Sequence, residues 1–138
     1  MNLNNLNCRL SLVLWFAAIH SALIGLGLMA TPTSWMSAFG LQVGGERLFQ
    51  VQGGAFHFLM AAIYAWAALK LLQMRGLIVL AIVVKAVSTL FLVTYCMIVR
   101  TTWVCLTSAA VDASLAALIY CTLVDCERDH IQRLGEIR

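Results

Sequence analysis

His20, His57, Lys85 and Asp112 stand out in this chain of 138 residues because each falls near the middle of a long apolar stretch. At a bilayer centre a charged side chain costs ~2.5–3.5 kcal/mol on insertion scales, so an aspartate and a lysine there need a partner, water or a task. A carboxylate beside an imidazole in low dielectric has a proton affinity set by its surroundings, which suits proton relay or general acid–base work. The competing reading is a neutralised ionic network that only fixes helix register. Intramembrane ionisable groups default to function, and Asp112 and Lys85 are taken that way.

The elements that must position these groups are helices. Of all residues 62% are hydrophobic and only 11% charged, a balance that points to an integral membrane protein. Four stretches reach the ~20 residues that cross ~30 Å of hydrocarbon: Leu10 to Ala30, Leu48 to Leu72, Gly76 to Val99 and Trp103 to Val124. They form one domain, residues 1–138, of all-α class: a four-helix, up-down-up-down transmembrane bundle. The first stretch exceeds a signal-peptide core of ~7–15 residues and lacks a clear cleavage site, so it counts as helix one. The first loop predicts a short interfacial helix, with Pro32 at its start, Gly40 past its end, and Trp35, Met36 and Phe39 at the outer interface. Gly44–Gly45 then reads as a flexible pair, and Glu46 and Arg47 open helix two. After Val124 the polar tail, residues 125–138, reads equally as a solvated helical extension or a docking handle.

Arg9, Lys70, Arg75, Arg128, Arg133 and Arg138 fall in the N-terminus, second loop and tail, against Arg47 and Arg100 in the other loops. The positive-inside rule then places both termini of a multi-pass membrane protein in the cytoplasm. The net charge of +3 comes with no dense basic cluster interleaved with aromatics, so no nucleic-acid partner is expected.

Walking ~1.5 Å per residue from the short loops sets His57 level with Leu90 and Asp112, with Lys85 ~7 Å nearer the cytoplasm. Because side chains lean toward a helix N-terminus, the favoured direct pair is His57 with Asp112. Helical spacing groups Gln50, Gly53, His57 and Tyr64 on one face; Lys85, Ser88 and Thr89 on another; and Cys105, Ser108 and Asp112 on a third. These stripes point into the bundle, as polar and small residues do in lipid. His20 stands apart from this network along the chain, with Ala17, Ile24 and Gly27 on its face. Gly53 and Gly54 serve either close helix packing, which is favoured, or the floor of a pocket beneath Gln50, His57 and Tyr64.

His20 and His57 at similar depth would permit haem held by axial ligation, but there is no c-type attachment motif. A metal site built from them and Asp112 lacks signature spacing, so no metal is assigned. Cys96 and Cys105 flank the third loop, where a disulfide is conceivable, while Cys8, Cys121 and Cys126 gather with His130 near the cytoplasmic face. No Cys-x-x-Cys pair exists, which disfavours a disulfide-forming enzyme. Free thiols acting as small apolar residues are the favoured account.

Four helices, Pro32 after the first, Phe39-Gly40, Arg47 before Gly53-Gly54 and Asp112 in the last helix together resemble the DoxX-like group of small bacterial membrane proteins. The resemblance implies an inner-membrane bundle, sometimes an accessory subunit of a redox or quinone-linked system. No catalytic residue is carried over from it.

The first functional expectation is a buried His/Asp/Lys cluster that binds a small, partly apolar ligand or conducts protons or small substrates. Its residues are His57, Asp112, Lys85, Gln50, Gly53, Gly54, Tyr64, Ser108, Thr89 and His20. The alternative is a non-catalytic subunit of a larger membrane complex, and the third is an intramembrane acid–base enzyme. A homodimer would use the small-residue faces of Gly25/Gly27 or of Ala61, Ala65 and Ala68.

Overall fold

The computed structural model describes residues 3–40, 47–71 and 73–136; Gly44, Gly45, Glu46 and Arg138, and the expected end of helix two at Leu72, lie outside them. Every regular element among the described residues is helical: α1 (Leu3–Ala30), α2 (Thr33–Met36) with a 3₁₀ turn at Ser37–Phe39, α3 (Arg47–Leu69), α4 (Arg75–Ile98) and α5 (Trp103–Glu136). Three of them are long and apolar enough to cross a membrane, over Cys8–Ala30, Arg75–Ile98 and Trp103–Asp129. α3 is not among them, because Gln50, Gln52, Gly53, Gly54 and His57 dilute its first half. α1 starts earlier than the apolar pattern does, and α5 runs on into the polar tail as one continuous helix as far as Glu136.

α1 stops where Pro32, which has no N–H, follows a last turn closed by Thr31 N–H donating to the Gly27 carbonyl at 3.0 Å. The Trp35 N–H donates to the Pro32 carbonyl at 3.0 Å, and the short helical segment ends at Gly40, whose φ of 75° lies in the left-handed region. The short helix expected in the first loop is therefore present. Its faces differ from expectation: Trp35 is exposed, but Met36 is buried. At the start of α5 the Thr102 hydroxyl accepts from the Cys105 N–H at 3.3 Å, an N-cap.

α1 and α3 pack antiparallel. Ser11 Oγ donates to the Ala68 carbonyl at 3.3 Å near one end, and Arg47 donates to the Met29 carbonyl at 3.2 Å near the other. Between these points the two backbones nearly touch. A Cβ on Gly54 would lie 2.8 Å from the Gly25 carbonyl oxygen and 2.7 Å from Met29 Cγ; one on Gly25 would lie 2.9 Å from the Gly54 carbonyl oxygen. Only glycine fits there, which is the close-packing role favoured for the pair. Gly53 faces a looser contact, 3.6 Å from Leu28 Cδ1.

α4 and α5 are likewise antiparallel, tied by Arg75 with Glu127 at one end and by Lys85 with Asp112 midway. The dry core fills only one half of the bundle: Leu10, Leu14, Ala17 and Ala18 of α1, Tyr64, Ala67 and Ala68 of α3, Ile78 and Ala81 of α4, and Leu115 and Ile119 of α5. Alanines at this seam let the helices approach closely. Of the small residues considered for a dimer contact, Gly25 packs on α3 and Ala61 and Ala68 are buried, whereas Gly27 has open space around it. Large apolar side chains such as Leu26, Phe56, Val87 and Leu118 face outward from all four long helices.

Candidate functional site

Lys85 and Ser88, three residues apart, share one face of α4 and meet Asp112 of α5. Lys85 Nζ lies 2.5 Å from Asp112 Oδ1, and Ser88 Oγ donates to Oδ2 at 2.6 Å. The lysine and aspartate side chains are 3% and 7% exposed, so this is a buried ion pair rather than a surface one. The ammonium also stands 5.6 Å from the centroid of the Tyr64 ring, whose electron-rich face favours a cation.

This arrangement corrects the expected pairing of His57 with Asp112. Helix geometry sets only the direction of the Cα–Cβ bond, and the flexible four-carbon stem of Lys85 can turn back toward the carboxylate. In low dielectric the attraction between opposite charges at contact far exceeds the small cost of an unfavoured stem direction. The depth estimate itself was close, since Ser88 is two residues from the Leu90 level assigned to Asp112.

Beside the pair, the other half of the bundle opens into a cavity of about 470 Å³. Asp112, Ser88, Ser108, His20 and His57 contribute its polar lining, with Thr31 near the end of α1. Leu23, Ile24 and Leu28 of α1, Phe91 and Leu92 of α4, and Val104 of α5 supply apolar wall. Met36 and Phe39 from the first loop also line it, and Phe39 is held against Trp103 with ring centroids 6.1 Å apart. Along α1 the lining runs from His20 to Thr31, a depth of ~16 Å at ~1.5 Å per residue. A largely apolar space with a few convergent polar groups is the usual character of a small-molecule site.

The ten expected residues separate in this geometry. His20, His57, Ser108 and Asp112 line the cavity, and Lys85 stands behind Asp112. His20, set apart by its place in the chain, is brought into the same space as the others. Tyr64 belongs to the dry core, beneath the ammonium. Thr89 turns away and donates to the Lys85 carbonyl at 2.9 Å within its own helix. Gln50 is a clamp: Nε2 donates to the Leu28 carbonyl at 2.6 Å and the Thr31 carbonyl at 2.8 Å, holding the start of α3 to the end of α1. Its Oε1 is buried with no hydrogen-bond partner among the described residues. Gly53 and Gly54 pack helices and do not form the cavity floor.

Residues that the stripes did not single out include Phe91, Leu23 and Val104, which are apolar and indistinguishable in sequence from lipid-facing neighbours. Met36 and Phe39 carried a faint signal, as apolar residues three apart on a short helical segment. Cys96 and Cys105 are both buried free thiols, and Cys105 lines the cavity. Among the described residues no three His, Cys, Asp or Glu side chains converge as a metal site.

Fold and site together define a class: a small helical bundle, packed in one half and hollow in the other, with a neutralised ion pair beside the hollow. No protein-family model matches the chain, and neither a curated protein nor a solved structure is significantly similar to it.

Proposed function

We propose that this is a four-span inner-membrane protein, both termini cytoplasmic, that binds a small, largely apolar molecule in the cavity between α1, α4 and α5. The observation that carries the reading is the cavity itself: about 470 Å³, with mostly apolar walls and polar groups gathered beside a buried ion pair. α3 counts as the fourth span because its 23 residues reach ~35 Å as a helix, and Gln50 and Gly54 of its polar first half are turned to α1, though Gln52 is exposed. The ring of outward apolar side chains is the surface such a bundle presents to lipid.

The ion pair favours binding over proton conduction. Both Asp112 oxygens already accept a donor, one from the Lys85 ammonium and one from the Ser88 hydroxyl, so the carboxylate is engaged in a fixed network. A proton path needs instead a chain of groups free to exchange partners.

Native mass spectrometry of the protein taken from its own membrane in lipid discs tests the proposal. The expected result is a retained small molecule that disappears in Ser108→Trp, a substitution that fills the cavity from α5. Retention unchanged in that variant, or retention of a second polypeptide alone, would overturn ligand binding and favour the subunit role.

A further inference from the structure

We infer that the cavity selects a single-chain amphiphile with an uncharged, hydrogen-bond-donating head, such as an alcohol or a phenol, bound head-inward against Asp112 and His20. This rests on the ligand-binding reading and adds the chemical class of the ligand.

Size limits the tail. A cavity of about 470 Å³ is in the range of sites for one drug-sized molecule, which suits a single chain or ring rather than a whole two-chain lipid. The distribution of polarity sets the direction. Asp112, Ser88 and His20 lie beside the dry half of the bundle, while the end toward the first loop carries Leu28, Met36 and Phe39 with Thr31 as its polar side chain.

Charge selects the head. Among the described lining residues Asp112 is the one carboxylate, and its counter-ion Lys85 approaches from behind, outside the cavity wall. The pair is neutral as it stands. An anionic head would meet the carboxylate with no free cation, and a cationic head would compete with an ammonium already in contact, so either sign would be an uncompensated charge in low dielectric. A carboxylate offers about four acceptor positions, of which Lys85 and Ser88 take two. What remains toward the cavity is acceptor capacity, and it calls for a donor.

The test uses the full chain in lipid nanodiscs at pH 8, above the ordinary histidine range. Tritiated dodecan-1-ol is the probe, with Ser108→Trp as the blank. The unlabelled competitors are dodecan-1-ol, 1-methoxydodecane, dodecane-1-sulfonate and dodecyltrimethylammonium, compared at equal concentration in the lipid. Specific binding in the native protein is expected, with the ether and both ions at least tenfold weaker competitors than the alcohol. Either ion competing as well as the alcohol overturns the selection for a neutral head, and an equally effective ether overturns the need for a donor. Absent alcohol binding in a protein that still retains its native small molecule overturns this inference alone. Absence of both overturns the cavity reading with it.

Discussion

Replacing Lys85 by methionine is the sharpest probe of how the site is held. The substitution keeps the length and apolar bulk of the stem and deletes the ammonium, leaving Asp112 with Ser88 alone. Both partners are almost fully buried, so the solvent screening that reduces surface pairs does not apply. Removing one member of a buried pair costs ~3–5 kcal/mol, and the contact of the ammonium with the Tyr64 ring adds ~0.5–2 kcal/mol. The lower end of the range for breaking a buried pair, ~3 kcal/mol, is the working value. The double variant Lys85→Met/Asp112→Leu removes both charges and should lie within ~1 kcal/mol of the native protein, as apolar replacements of buried pairs do. Reversible unfolding by sodium dodecyl sulfate in mixed micelles, followed by circular dichroism, measures all the variants. A loss below ~1 kcal/mol for Lys85→Met, or a double variant as unstable as the two single losses added together, would refute the buried pair as an energetic unit.

The same unfolding assay should separate two adjacent glycines. Gly54→Ala drives a Cβ into the Gly25 carbonyl and should lose ~1–3 kcal/mol, whereas Gly53→Ala meets only the end of a leucine and should change stability by less than ~1 kcal/mol. Gln50→Ala removes two hydrogen bonds to the end of α1. A loss of ~1–3 kcal/mol is expected, with faster amide exchange at Thr31 and Trp35, and unchanged exchange there would contradict the clamp. Cys96 and Cys105 should remain free thiols in oxidising buffer, shown by intact mass after alkylation in denaturant; a mass two units low and resistant to alkylation would show a bridge.

The helical architecture was open to sequence reasoning because it follows from local properties: unbroken apolar runs, Pro32 after the first, and loops too short for anything but antiparallel neighbours. The level of Asp112 relative to α4 was legible for the same reason, since a fixed rise per residue from a short loop leaves little freedom. Its partner was not. His57 and Lys85 were both within reach of the same level, and the choice between them depended on stem conformation, which backbone periodicity does not encode. Gly54 was recognisable as a contact glycine, yet its opposite number Gly25 was legible only as a candidate contact residue, because a small-residue stripe does not say which helix will cover it. The cavity is the least legible feature. It exists where side chains from α1, α4 and α5 fail to fill the space between them, and Phe91 inside it looks in sequence like Phe56 outside it.

The position of the ion pair bears on how such a chain reaches a membrane. Lys85 and Asp112 sit on consecutive helices, so their neutralisation needs only the α4–α5 hairpin, which Arg75 and Glu127 close again at its far end. The Gly25–Gly54 crossing is likewise internal to the hairpin of α1 and α3. On the proposed four-span reading, the chain can thus be handed to the bilayer as two prefabricated halves. Neither a lone lysine nor a lone aspartate need face lipid during biogenesis, and joining the halves is left to the alanine-rich seam.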